Sequence, residues 1–258
     1  MQASGGKMNE EALLKANERI DALSAQGIRI IQSPEVFAFS LDAVLLADFV
    51  RPNRKSKLQT VDLCAGNGAI GLFLNRKLGG HITEVELQTR LADMAERSVA
   101  LNQLTERYTV INADVKDIYE YLSKDSADIV VCNPPYFKDL PTSEKNPNPH
   151  LALARHEIAI DLASIVAKMS GLLKMNGKAY LVHRPERLAE ILTTFSQYRL
   201  APKRLRLVYP KAGRDANMVL IEAIKDGKAG GLKVVPPLVV ADQAGNYRPE
   251  VQAMLHAH

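Results

Sequence analysis

Val61-Asp62-Leu63-Cys64-Ala65-Gly66-Asn67-Gly68-Ala69-Ile70-Gly71 runs from an apolar stretch into glycines spaced G-x-G-x-x-G, with an apolar helical pattern directly behind. The pattern predicts a buried strand, a tight turn and a helix. Glycines let the backbone approach a ligand closely, and the helix N-terminus presents free amide donors. Taken alone, this loop suits a dinucleotide equally well. The next apolar run ends in Glu86, twenty residues after Gly66, where a carboxylate can accept both hydroxyls of a ribose. A third run leads to Asp114, either a partner for an adenine amino group or an ordinary strand-end turn residue.

Further out, strands are expected at Thr60–Cys64, Ile82–Leu87, Tyr108–Ala113, Ala127–Cys132, Lys178–His183, Leu205–Tyr209 and Met218–Ala223. Helices fall between them at about Ala69–Leu78, Leu87–Gln103, Asp161–Leu173 and Pro185–Gln197. Alternation of this kind implies right-handed crossovers and a parallel sheet covered on both faces. The Pro210–Asn217 connection is too short for a helical crossover, so the last two strands should pair antiparallel. Before the sheet, Asn9 is a candidate cap for a helix from Glu10 to about Leu23, and a second helix is expected over Leu41–Val50. The expected divisions are an N-terminal leader and helical segment (1–57), the main α/β domain (58–225) and a short C-terminal appendage (226–258).

The 258 residues, 47% hydrophobic and 24% charged, suffice for one large α/β domain with a modest addition. No apolar stretch reaches the length of a membrane span, and the first residues lack the apolar core of a secretory signal, so a soluble cytoplasmic protein is expected. Cys64 and Cys132 both end buried strands and read as packing residues in a reducing compartment, without a metal or disulfide role. The six histidines show no ligand spacing. Net charge is +4, yet Lys174–Arg214 alone holds ten basic residues against two acidic ones. Such asymmetry fits one face turned to a polyanion such as nucleic acid, ahead of a merely solvated basic face.

The fourth strand runs straight into Asn133-Pro134-Pro135-Tyr136. Two prolines fix their φ angles and donate no hydrogen bonds, leaving a rigid turn with free carbonyls beside an amide and an aromatic ring. These are the parts needed to hold a planar amino group and stack on a flat substrate, though a rigid corner with a packed tyrosine reads the same way. Asp62, Glu86 and Asp114 close successive strands around the glycine loop. Acidic strand ends suit S-adenosylmethionine, which carries a sulfonium, an ammonium and a ribose, better than a pyrophosphate-bearing dinucleotide. Residues 138–149, rich in proline and polar residues, form a loop that is a candidate lid.

With these residues in hand, the chain resembles the class I S-adenosylmethionine-dependent amino-methyltransferases, and among them the bacterial family acting on N6 of the adenine that follows the anticodon of a valine tRNA. The resemblance is carried by 39–47, Asp62–Gly71, Val85-Glu86-Leu87-Gln88, 133–137, 154–157, Lys203-Arg204-Leu205-Arg206 and Pro236–Val240. It covers the chain from about Met8 onward, which would make residues 1–7 an added leader. Many relatives have glycine where this chain has Cys64 or Ala65. The resemblance implies a Rossmann-like fold with seven strands, mostly parallel, the final one antiparallel. It implies a cofactor site of Ser40, Asp42, Asp62, Cys64, Ala65, Gly66, Gly68, Glu86, Leu87, Asp114, Val115 and Asn133, with Ser40 equally a plain helix cap. Asn133, Pro134, Pro135 and Tyr136 are the expected catalytic group, with Phe137 behind Tyr136. Candidate RNA contacts are Lys138, Arg155, His156, Arg184, Arg204, Arg206 and Lys211, with structural ion pairing the competing role for Arg155 and His156 and a solvated face the competing role for Arg204 and Arg206. The expected partner of this presumed monomer is tRNA, with no membrane and no metal. Guanine N2 of RNA, a protein glutamine, or RNA binding without catalysis are the alternatives.

Overall fold

A computed structural model describes residues 10–23, 27–36, 40–136 and 160–257 of the chain. The glycine-loop unit forms as its pattern demands: β3 (Gln59–Leu63) enters the turn and α2 (Ala69–Leu74) leaves it. Around it lie β4 (His81–Glu86), α3 (Thr89–Leu101), β5 (Tyr108–Asn112), β6 (Ala127–Cys132), α4 (Leu162–Leu172), β7 (Leu173–His183), α5 (Leu188–Gln197), β8 (Leu200–Lys211) and β9 (Met218–Lys225). Strands β3 to β7 are parallel, and β9 inserts antiparallel between β7 and β8. From β3 the chain moves outward to β4 and β5, then returns to place β6 on the other side of β3. That reversal puts a crevice at the carboxyl ends of β3 and β6, the usual ligand position in open α/β sheets.

The sheet holds nine strands rather than seven. Two short strands, β10 (Lys233–Val234) and β11 (Leu238–Ala241), both run along the free edge of β8, interrupted by Pro236-Pro237. Proline removes ladder donors, so the edge strand is broken where the prolines fall, and that break hid it in the sequence. The final helix α6 (Pro249–Ala257) sends Val251 and Met254 into the same core that holds Leu238, Val240 and the apolar face of α1 (Leu41–Phe49).

The helix expected from Glu10 to Leu23 is not there. Residues Glu10–Leu13 form one 3-10 turn, Asn17 takes φ +59°, and β1 (Arg19–Ala22) pairs with β2 (Arg29–Gln32) as a hairpin. The hairpin lies on α3, where the Ile31 N–H donates to Ser98 Oγ at 3.0 Å and Asn102 bridges the Arg29 backbone. Leu13 and Ile20 pack against Leu91 and Met94 of that helix. Their spacing reported burial correctly, but a tertiary partner selected extended structure over helix.

Beneath the glycine loop, Asp62 and Glu84 face each other across the β3–β4 register and are fully buried. Desolvation raises both carboxyls well above their ordinary range, in Asp62 against an opposing Gly71 N–H, and in Glu84 with the Asp62 charge adding to the rise. A native state that keeps protons the unfolded chain would release loses stability as pH rises from the ordinary carboxylate range toward the raised values. Glu84→Gln should therefore be stabilised over the wild type by a margin that widens between pH 5 and 8, by up to about 1.4 kcal/mol per pH unit. Urea midpoints of the two proteins across that range measure it, and a pH-independent margin contradicts it.

The same carboxyl explains two glycines. A Cβ on Gly68 would come within 2.7 Å of Glu84 Oε2, and one on Gly71 within 2.1 Å of Oε1. Glu84 is boxed in between Asp62 and the Tyr108 side chain, whose hydroxyl donates to the Gly71 carbonyl at 2.8 Å. For Gly71→Ala, overpacking of up to about 3 kcal/mol outweighs the roughly 1 kcal/mol that alanine gains in helix propensity. The expected net loss of about 2 kcal/mol should shrink when Glu84→Ala is added, a coupling that denaturant melts of the double-mutant cycle detect.

Candidate active site

The carboxyl ends of β3, β4 and β6 open into a cleft of about 960 Å³, partly open to solvent. Its walls include Ser40, Asp42, Cys64, Ala65, Gly66, Glu86, Leu87, Asp114, Val115, Asn133, Pro134, Pro135 and Tyr136, so most of the expected cofactor and catalytic residues meet in one place. Asp62 and Gly68 do not line it. They lie behind the loop and act on the site only through its support: Gly68 takes φ +84° above the Glu84 carboxyl. Cys64 adopts φ +59°, a left-handed conformation that glycine accepts at less cost.

Glu86 is held rigidly. Its Oε2 accepts from the Gly66 N–H at 2.9 Å and its Oε1 from the Gln88 N–H at 2.8 Å. Burial raises its carboxyl above the ordinary range, while these bonds and the Leu87 N–H oppose the rise. Ser40 stands at the N-cap position of α1 without making a cap hydrogen bond, and its Oγ is buried with no partner among the described residues. The plain capping role is thus set aside. Asp114 spends one oxygen capping the 3-10 turn 115–120 through the Lys116 N–H at 2.9 Å. Leu87, 38% exposed, and buried Val115 add apolar walls beside it. A pinned carboxylate and apolar walls match the ribose and adenine parts of an adenosyl group, and the orphaned hydroxyl is free to meet a polar group beyond them.

At the other end of the cleft, the Tyr136 hydroxyl is within hydrogen-bonding reach of both Asp42 Oδ2 and Asn133 Oδ1. Burial, then the Asp42 charge, pushes this phenol well above its usual range, so it remains a donor. The Arg184 guanidinium lies 4.9 Å from the Tyr136 ring centroid, the His183 ring packs at 5.3 Å and 60°, and Arg187 Nη1 donates to the Tyr136 carbonyl at 3.3 Å. His183 is buried, which depresses its imidazole to about 3 and keeps it neutral. In this state the tyrosine occupies the acceptor of Asn133, and its ring is packed rather than open.

The expected RNA contacts divide. Arg184 packs on the Tyr136 ring and donates to the Asn217 carbonyl at 2.8 Å. Arg204 pairs with buried Glu222 at 3.0 Å and lies 3.9 Å from the Phe49 ring centroid, while Arg206 pairs with Glu250 and donates to the Pro236 carbonyl at 3.1 Å. Both serve packing of the sheet edge. Lys211 Nζ donates to the Gln243 carbonyl at 3.2 Å. Lys138, Arg155, His156, Phe137, the loop 138–149 and residues 1–7 lie outside the described residues. Sequence reasoning missed Asn67, Gln88, Leu91 and Ile160 as cleft residues. Of these Asn67 and Gln88 carried a signal, since both fall in stretches that carry the resemblance; inside the glycine loop, Asn67 Nδ2 donates to the Ile31 carbonyl at 3.1 Å and ties the hairpin to the site.

No helix among the described residues is long and apolar enough to cross a membrane, and none of their His, Cys, Asp and Glu side chains form a group of three or more able to hold a metal ion. Two cysteines stand as free thiols. Among curated proteins, the chain is 24% identical over 236 residues to a Porphyromonas gingivalis protein named tRNA1(Val) (adenine(37)-N6)-methyltransferase, covering 89% of this chain and 91% of that one. Proteins of the same name from Shewanella putrefaciens and Aeromonas hydrophila are 27% and 31% identical, covering 85% and 63% of this chain and 89% and 67% of theirs. Among solved structures, an Agrobacterium tumefaciens protein titled a predicted O-methyltransferase superposes with a TM-score of 0.66 at 25% identity, covering 83% of this chain and 95% of that one. A geranyl diphosphate methyltransferase solved with its methyl donor shares the fold at a TM-score of 0.53 and 15% identity, covering 71% of this chain and 84% of that one. The family model described as the methyltransferase small domain matches residues 27–203, from the hairpin through β7 and into β8, and the chain belongs to that family.

Proposed function

We propose that this chain transfers a methyl group from S-adenosylmethionine to N6 of the adenine following the anticodon of a valine tRNA, adenine 37 in the names its relatives carry. The observation that carries the proposal is the meeting of Asn133-Pro134-Pro135-Tyr136 with the pinned Glu86 carboxylate in one cleft. Glu86 accepts from the ribose hydroxyls, Leu87 and Val115 flank the adenine, Asp114 receives its amino group, and Ser40 and Asp42 face the amino-acid end. When bound, the cofactor supplies a methyl group made electrophilic by its sulfonium.

The N6 lone pair of the target adenine is delocalised into the ring and is a poor nucleophile while the amino group stays planar. Asn133 Oδ1 and the Pro134 carbonyl accept its two hydrogens and turn the lone pair toward the methyl group. Pro134 and Pro135 bring no N–H of their own to compete for these acceptors. The proton leaves after transfer, so no strong base is needed, and positioning supplies most of the acceleration. For the base to enter, Tyr136 must release Asn133 Oδ1 and turn its ring to the extruded adenine. The reading places the protein in the cytoplasm, as a monomer acting on tRNA.

Nucleoside mass spectrometry of valine tRNA from cells with and without the gene tests this. The expected result is N6-methyladenosine present only with the gene. Loss instead of N2-methylguanosine, or of methylglutamine from a protein, would move the substrate to one of the alternatives.

A further inference from the structure

The amino ends of β3, β6 and β7, at the rim opposite the active site, border a second cleft that is open to solvent. Five cations line it, Arg51, Lys55, Lys57, Lys174 and Lys178, against a single carboxylate, Asp128. That carboxylate is already engaged: it accepts from the Gln59 N–H at 2.9 Å and pairs with Lys174 at 3.0 Å. Arg51 reaches Glu222 at 3.4 Å, but Lys55, Lys57 and Lys178 have no carboxylate partner among the described residues. Four arginines of the basic segment fare differently, since Arg187, Arg199, Arg204 and Arg206 are each paired with an acid. Unneutralised positive charge therefore gathers at this rim.

The backbone holds it there at a cost. Between Ala127↔Leu173 and Ile129↔Lys178, two steps along β6 match five along β7, so Lys174–Gly177 bulges out of the sheet. The bulge needs Asn176 at φ +64° and a glycine at 177, where a Cβ would meet the Lys174 carbonyl at 2.8 Å. Bulges re-aim side chains, and this one sets Lys174 and Lys178 opposite the basic turn 51–57 with Met175, 72% exposed, at its tip.

We infer that this cleft is a second contact for the RNA substrate, taking backbone phosphates of the tRNA outside the anticodon loop. The inference rests on the tRNA reading above. Strands of six residues at about 3.3 Å each separate the two rims by roughly 20 Å, so a ligand occupying both must be a macromolecule that extends past its target loop. Phosphate neutralisation releases counterions and makes affinity fall with salt at a slope of about 0.9 per phosphate on duplex.

The test compares full-length valine tRNA with its isolated anticodon stem-loop, using wild type and the triple variant Lys55→Gln, Lys57→Gln, Lys178→Gln. For full-length tRNA, the slope of log affinity against log salt should become shallower by about 2 to 3 in the variant. Methylation of the stem-loop should change less than about twofold, which also shows that the variant is folded. An unchanged slope with full-length tRNA, or equal losses on both substrates, overturns the second contact and leaves the methyltransferase reading standing. A wild type that neither binds nor methylates tRNA overturns both.

Discussion

Asn133→Ala should lower the single-turnover rate of methyl transfer by about 10² to 10³ while leaving the fold nearly intact. The magnitude is that for removing one hydrogen-bonding group from a preorganised site, here an acceptor rather than an oxyanion donor. Asn133 follows directly on β6, whose last residues Val131 and Cys132 are wholly buried, so the position of the amide is set by the sheet and not by a mobile loop. Its folded-state partner is the Tyr136 hydroxyl, and loss of one such bond costs only about 1 kcal/mol of stability. Rate and stability should therefore separate. Tyr136→Phe sharpens the point, because it keeps the stacking ring and removes the hydroxyl that occupies Asn133 Oδ1; its transfer rate should stay within a few-fold of wild type. Rapid-quench assays at saturating cofactor and tRNA measure both variants. Full activity in Asn133→Ala would remove the amide from the mechanism.

Glu86→Gln should weaken S-adenosylmethionine binding on the order of 100-fold, with the rate at saturating cofactor largely preserved. Two hydrogen bonds to a charged acceptor, at about 1.5 kcal/mol each, supply about 3 kcal/mol. Glutamine keeps the shape but must turn its NH₂ toward either the Gly66 or the Gln88 N–H, so the loop that Glu86 pins is disturbed as well. The wild-type affinity should rise with pH as Glu86, whose carboxyl burial has raised, loses its proton, and the glutamine variant should lack that rise. Calorimetric titration with the cofactor across the pH range measures both effects. Equal affinities for the two proteins would place the ribose elsewhere.

The parts of the fold that could be read in the sequence are those whose burial is dictated locally. β6 ends in an apolar run between turn signals, and burial on both faces leaves no other reading of Ile129-Val130-Val131-Cys132. The β1–β2 hairpin was not legible, because Ile31 is buried and Ile20 half-buried in a cluster completed by α3, far along the chain, and nothing local separates the spacing of Leu13, Ile20 and Leu23 from that of a helix. Strands β10 and β11 escaped because Pro236-Pro237 reads as a break, and only β8 supplies their partners.

Within the site, Glu86 and Asn133 were legible because strand ends at a glycine loop have few other uses. Asp62 was read as facing the ligand because its strand position resembles that of Glu86. Asp62 lies one step before the end of β3, in register with Glu84 and beneath α2, whereas Glu86 ends β4 at the cleft, so depth along the strand separates two carboxylates that share a face. Arg204 and Arg206 could not be told from phosphate contacts, since Glu222 and Glu250 reach them from other elements.

The most direct test of the account is incubation of the purified protein with unmodified valine tRNA and methyl-labelled S-adenosylmethionine, followed by digestion to nucleosides. The account predicts one methyl group per tRNA, recovered as N6-methyladenosine from the nucleotide after the anticodon, and none when that adenine is replaced by purine, which lacks the amino group. Label in a different nucleoside, or undiminished transfer to the purine-substituted tRNA, would contradict it.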